Sequence, residues 1–297
     1  IYGHSTTHPN IATSFSYLGV TWYHLGDYRR AIHYSEQALQ MDRIIYGHDQ
    51  TKAYPHIATS LHNMGQACIS LCDYKRAISY LEQALNMDRC IYGESTPHPD
   101  IARALSNLGT AWSSLGDHRK ALNYYEQALH MQRIIYGQNT PNTDIAMSLN
   151  SIGAIWTHLV DYRKAISYFE EALEMRMSIY GQNTAHTDVA ESLNGLGAAW
   201  GGLGHHGKAR AYHEQALHMY RDISGHTTKH PDIAKALRSL GVVWIKLNDQ
   251  RKAINFLEQA LEMYRCIHGH SNGQTDIASS LLSLGGAWFR LGDHRQA

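Results

Sequence analysis

The stretch Gly202-Leu203-Gly204-His205-His206-Gly207-Lys208 fits G-x-x-x-x-G-K, the spacing with which backbone amides and a lysine cradle a nucleotide's phosphates. Ala209 follows where a hydroxyl should hold magnesium, and no strand pattern precedes the motif. Lys208 also recurs as Lys120, Lys164 and Lys252, so the segment reads as an interhelical turn and not as a nucleotide site. The chain's 21 histidines raise a second chemistry, metal ligation. His4 with His8, His226 with His230, and His268 with His270 pair in loops, and His205 with His206 in a turn. A metal centre needs three or four convergent ligands held by outer hydrogen bonds, which loop pairs do not supply. Solvated surface histidines are expected, with no metal. Glu82, Glu126, Glu214 and Glu258 recur a full repeat apart and so form no acid/base pair, and no nucleophile stands beside a base. An enzyme is therefore not expected, nor a cofactor.

Those residues belong to a repeat. Trp112, Trp156, Trp200, Trp244 and Trp288 are 44 residues apart, Trp22 joins them after a two-residue insertion, and Cys68 fills the missing place. A glycine stands three residues before each position, from Gly19 to Gly285. Two helices account for one unit. In the third, the first helix spans about Ile101–Leu115, with Ile101, Leu105, Leu108, Trp112 and Leu115 on one face. Asp100 is its expected N-cap and Gly116 its C-cap; the second helix follows Asp117 and stops at Gly137. Gly109, Ala121 and Ala128 allow close backbone approach beside Trp112. One pair cannot bury this much apolar surface, and stacked pairs can, which predicts an all-α solenoid of about six and a half two-helix repeats. The units fall at about 11–56, 57–100, 101–144, 145–188, 189–232 and 233–276, with a partial unit at 277–297, all in a single array over 1–297. Ile1-Tyr2-Gly3 matches the tail of a second helix and Ala297 the start of one, which suggests a segment of a longer array. In the fifth unit, Gly201, Gly202, Gly204 and Gly207 predict thin packing and a local soft spot.

This pattern resembles the tetratricopeptide repeat. The 44-residue period, the M-x-R-x-I-Y-G end of the second helix and the Thr-x-His-Pro-Asp-Ile-Ala loop are most similar to the long repeats of kinesin light chains, with related arrays in nephrocystin-type and nucleotide-oligomerisation-receptor proteins. The resemblance implies a right-handed superhelix whose first helices line an inner groove for peptides or protein segments. Asn63, Asn107, Asn150 and Asn194 resemble the L-N-N-L stretches of kinesin light chains, and an amide can pair with an extended peptide backbone. The family's carboxylate clamp is matched only by Asn63, Arg103 and Asn107, with Ser16 and Val20 standing where a lysine and an asparagine would be expected.

Groove positions are expected six, three and two residues before the repeat glycine, and one, four and five after it. They place small residues (Ser113, Ser114, Ala154, Ala198, Gly201, Gly202) in the middle. Toward the C-terminus they combine Lys235, Arg238, Lys246 and Arg290 with Val242, Ile245, Leu282 and Phe289. That surface suits an acidic peptide with a large apolar anchor. The function expected is a non-enzymatic peptide-binding scaffold; the alternative is a ligand-sensing or self-associating array that regulates an attached signalling domain. Twenty-six basic and 26 acidic residues cancel, which argues against nucleic acid or an anionic membrane as partner. No apolar run reaches membrane-span length. Four cysteines form no disulfide framework, and Cys68, Cys72, Cys90 and Cys266 read as buried, reduced thiols in a cytoplasmic protein.

Overall fold

The computed structural model describes residues 7–46, 54–182, 184–225, 230–268 and 274–292. His4, His226, His270, residues 1–3 and Ala297 lie outside them. Thirteen α-helices occur among the described residues: α1 (Pro9–His24), α2 (Tyr28–Tyr46), α3 (Pro55–Ser70), α4 (Tyr74–Tyr92), α5 (Pro99–Ser114), α6 (His118–Tyr136), α7 (Thr143–His158), α8 (Tyr162–Tyr180), α9 (Thr187–Gly202), α10 (His206–Ser224), α11 (Pro231–Lys246), α12 (Gln250–His268) and α13 (Gln274–Leu291). They group into two compact units, residues 1–140 and 141–297. Within each, odd- and even-numbered helices pack as antiparallel pairs, and each pair stacks on the next.

The glycine of each first helix is where its own second helix comes closest. A Cβ on Gly109 would meet the Tyr125 ring at 2.9 Å, one on Gly65 would meet Leu81 at 2.6 Å, and one on Gly153 would meet Phe169 at 3.0 Å. Ala121, Ala128, Ala165 and Ala172 are fully buried on the second helices. Where the repeat tryptophan is present it closes the pair beneath a cation, with Lys120 Nζ 3.9 Å from the Trp112 ring and Lys164 Nζ 4.0 Å from that of Trp156.

The caps depart from expectation. Asp117, Asp161 and Asp73 do cap second helices, accepting from the backbone three residues on. The first helix of the third unit, however, is capped by His98, whose Nδ1 accepts from the Asp100 amide at 3.2 Å. Pro99 occupies the first helical position, where a missing N–H costs nothing. His98 also stacks on Tyr92 with ring centroids 3.4 Å apart, and the Tyr92 hydroxyl donates to Asp100. His186, Tyr180 and Asp188 repeat the arrangement, and His8 and His230 cap α1 and α11. These loop histidines are helix caps.

The fifth unit is not thinly packed at all its glycines. A Cβ on Gly202 would meet the Tyr162 ring at 2.3 Å, one on Gly195 the Phe169 ring at 2.5 Å, and one on Gly197 the His213 ring at 2.7 Å. Of the four glycines expected to thin the packing, Gly202 alone is tightly fitted; Gly204 and Gly207 meet nothing within 4 Å, and Gly201 only the Ala209 Cβ at 3.5 Å. The cysteines are free, but Cys68 alone is buried; Cys72 is exposed in the turn between α3 and α4, and Cys90 and Cys266 are exposed near the ends of α4 and α12.

Candidate functional site

In the second unit, α9, α10 and α11 enclose a cavity of about 310 Å³. Gly197, Ala198, Gly201 and Gly202 form its α9 wall; Arg238, Ser239, Val242 and Lys246 form its α11 wall. The cavity exists because the α9 wall carries almost no side chain, while α11 presents long cations and a valine at the same level. His206 and His213 complete the lining from α10. His213 Nδ1 lies 2.7 Å from Asn194 Oδ1, and burial pushes its imidazole down to about 4. The ring is therefore neutral at pH 7. Arg238 is half-buried; it bonds the Tyr264 hydroxyl of α12, and its Nε is enclosed without a partner. Lys246, in contrast, is exposed at the cavity's rim.

The structure thus brings together two of the expected groove residues, Arg238 and Lys246, with the small residues opposite them. The others are distributed elsewhere. Lys235 is exposed on α11 outside the lining, and Ile245 packs half-buried with Trp244 and Trp288. Phe289 is 64% exposed on α13. In the first unit, Asn63 and Asn107 are half-buried, each with Nδ2 enclosed and unpartnered. Arg103 is exposed, and Asp100 holds its guanidinium at 2.7 Å.

Asn150 and Asn194 move from the groove to the packing between helices. They are 7% and 8% exposed, and their carbonyls accept from Ser192 and His213. His62 and Ser106, at the same repeat position, are buried too. The reason is geometric. A first helix packs against its own second helix and against the preceding one as well, as α5 does against α6 and α4, so its buried face is wider than one stripe. Ser239, two residues before Gly241, lines the cavity as its groove position predicts, whereas His206 and His213 are outside the expected positions; the signal for His213 is a polar ring where other repeats place Leu81, Tyr125, Phe169 and Leu257.

Lys208 carries no phosphate-loop geometry. Its Nζ lies 3.9 Å from the Trp200 ring, as the other repeat lysines do over theirs, and Gly204 forms a helix-to-helix turn at φ +88°. Among the described residues no cluster of three or more His, Cys, Asp or Glu side chains could hold a metal ion, and no helix is long and apolar enough to cross a membrane.

Tetratricopeptide repeat models match residues 11–51, 58–89, 101–142 and 144–222. The chain belongs to the tetratricopeptide repeat family and is a repeat scaffold. No curated protein matches it by sequence. Among solved structures it is similar to BtubC (BKLC) from P. vanneervenii, at 21% identity and a TM-score of 0.63, over 82% of this chain and 94% of that one. It is also similar to kinesin light chain-type repeats from Podosopora anserina, at 16% identity and a TM-score of 0.58, over 74% of this chain and 100% of that one. A third similar structure is NprR in complex with its cognate peptide NprX, at 15% identity and a TM-score of 0.67, over 98% of this chain and 77% of that one. At these identities the likeness is one of fold.

Proposed function

We propose that the chain is a non-enzymatic, cytoplasmic interaction scaffold that binds an extended protein segment along its first helices. The observation that carries this reading is the α9–α10–α11 cavity, in which a wall of glycine and alanine faces Arg238, Val242 and Lys246. An apolar side chain entering beside the glycines supplies affinity, and carboxylates flanking it meet the two cations. The peptide held by NprR, a protein of the same fold, supports a peptide as the ligand class. The balanced charge of the chain supports a protein and not a nucleic acid as partner.

The test is a peptide screen followed by calorimetry. A selected acidic, apolar-anchored peptide should lose ~1–3 kcal/mol of binding to Arg238→Ala with Lys246→Ala, and should weaken as salt rises. Lys246→Ala alone separates ligand binding from the Arg238–Tyr264 contact, and Lys164→Ala serves as an outer-surface control. Selection of purely basic peptides, or full binding by the double variant, would refute the reading.

A further inference from the structure

A second cavity, of about 340 Å³, lies between α8, α9 and α10, and its lining includes Glu170, Leu173, Glu174, Met177, Leu196 and Tyr212. The repeat register explains its origin. Every other second helix described carries an arginine at the place of Met177: Arg43, Arg89, Arg133, Arg221 and Arg265. In the fourth repeat Met-x-Arg becomes Met175-Arg176-Met177, with the arginine one residue early. That one-residue displacement is about 100° around a helix, and it turns the guanidinium inward. Arg176 is buried, donates to the Asp188 carbonyl and to Ser192 Oγ, and meets Glu191 at 3.1 Å.

The first unit shows what the consensus arginine does at this place. Glu82, Arg89 and Tyr124 are the counterparts, residue by residue, of Glu170, Met177 and Tyr212, and Leu85 and Leu108 are those of Leu173 and Leu196. Burial and the Glu82 charge push the Tyr124 hydroxyl up while the Arg89 charge pulls it down, so both charges act on that phenol, and Arg89 Nε is enclosed without a hydrogen-bond partner. Tyr124 packs with Leu85 and Leu108 in the same core. In the fourth repeat the acid and the phenol ring remain and the guanidinium is gone. A second carboxylate, Glu174, stands one turn from Glu170, and no ion pair joins either to a cation among the described residues. Two like charges four residues apart disfavour each other until a cation lies between them.

We infer that this cavity is a receptor for an arginine side chain of a protein partner, the incoming guanidinium taking the place between α8, α9 and α10 that Arg89 takes between α4, α5 and α6. The planar fork suits two carboxylates, and the apolar stem lies along Leu173, Met177 and the Tyr212 ring. The site is opposite in charge to the α9–α11 cavity and does not depend on it.

Met177 is itself the reporter. With ε-methyl-labelled methionine in the full chain, and the Met177 resonance assigned by Met177→Leu, Nα-acetyl-arginine amide should shift that signal saturably, with Kd about 1 mM. The isosteric citrulline amide, which lacks the charge, should bind at least about tenfold more weakly. Glu170→Gln with Glu174→Gln should abolish the response while circular dichroism stays unchanged, and Glu174→Gln alone should weaken it. Met177→Arg, which restores the repeat's own arginine, should abolish binding by calorimetry. A Met177 signal that does not move, that moves equally with citrulline, or that still moves in the double variant would overturn the inference. So would tighter binding of free arginine than of the capped amide, which would make this a metabolite site.

Discussion

His62 in the first unit and His213 in the second are both 2% exposed, and they differ in what they face. His62 Nε2 lies 2.7 Å from Asp88 Oδ2, with both side chains enclosed. His213 is paired instead with an amide, Asn194, and no carboxylate is paired with it among the described residues. A buried carboxylate must keep its partner, because an unpaired charge in the interior is among the largest penalties a fold can carry. A buried neutral ring needs only one hydrogen bond, and its vulnerability lies in being protonated. The same side chain thus makes one unit sensitive to mutation and the other to acid.

Asp88 gives the largest expected effect. Asp88→Asn keeps the hydrogen bond without the charge, and His62→Ala strands the carboxylate at a cost of about 3 kcal/mol, measured by urea unfolding. A loss below about 1 kcal/mol for His62→Ala would erase the contrast. Next in size is acid. The His213 value near 4 lies below its ordinary 6.5, so the unfolded chain takes up a proton first as pH falls. The His213 contribution is complete above about pH 6.5 and is lost from there down toward 4, about 2 kcal/mol being gone at pH 5. His213→Leu, the residue type found at Leu81 and Leu257, should flatten that limb relative to the parent chain. Asn194→Ala should cost less, about 1 kcal/mol, since it leaves a neutral N–H unpaired. The smallest effect belongs to Lys208→Ala, about 0.5 kcal/mol for an exposed cation over Trp200. Micromolar magnesium–nucleotide binding that this substitution abolished would instead revive the phosphate-loop reading.

Much of the fold was legible because one glycine–tryptophan register fixes both helices and their stacking. The repeat's aspartate caps, its turns and its buried alanines followed from local patterns that need no neighbour. What was not legible depended on the preceding pair. The column containing His62, Asn150 and Asn194 looks free on a single helix and is covered only once another second helix packs there. The histidine caps were hidden for a related reason, since His98 and His186 are recognisable only against the tyrosines they stack on. For the site, Arg238, Lys246 and the small residues were readable as a gradient, whereas His206 and His213 entered from a helix expected to lie outside it. The Met177 exchange is visible in the sequence, but its meaning rests on where Arg89 sits.

The glycine contacts also bear on how such an array is inherited. Gly65 with Leu81, Gly109 with Tyr125 and Gly153 with Phe169 each lie within one helix pair, so a gene duplication that copies one unit copies lock and key together. Gly195 and Gly202 break that independence, being fitted to Phe169 and Tyr162 of the unit before. A recombination breakpoint between the fourth and fifth units would bring those bare helix positions against unmatched rings. These two units are therefore transmissible most safely as a single block.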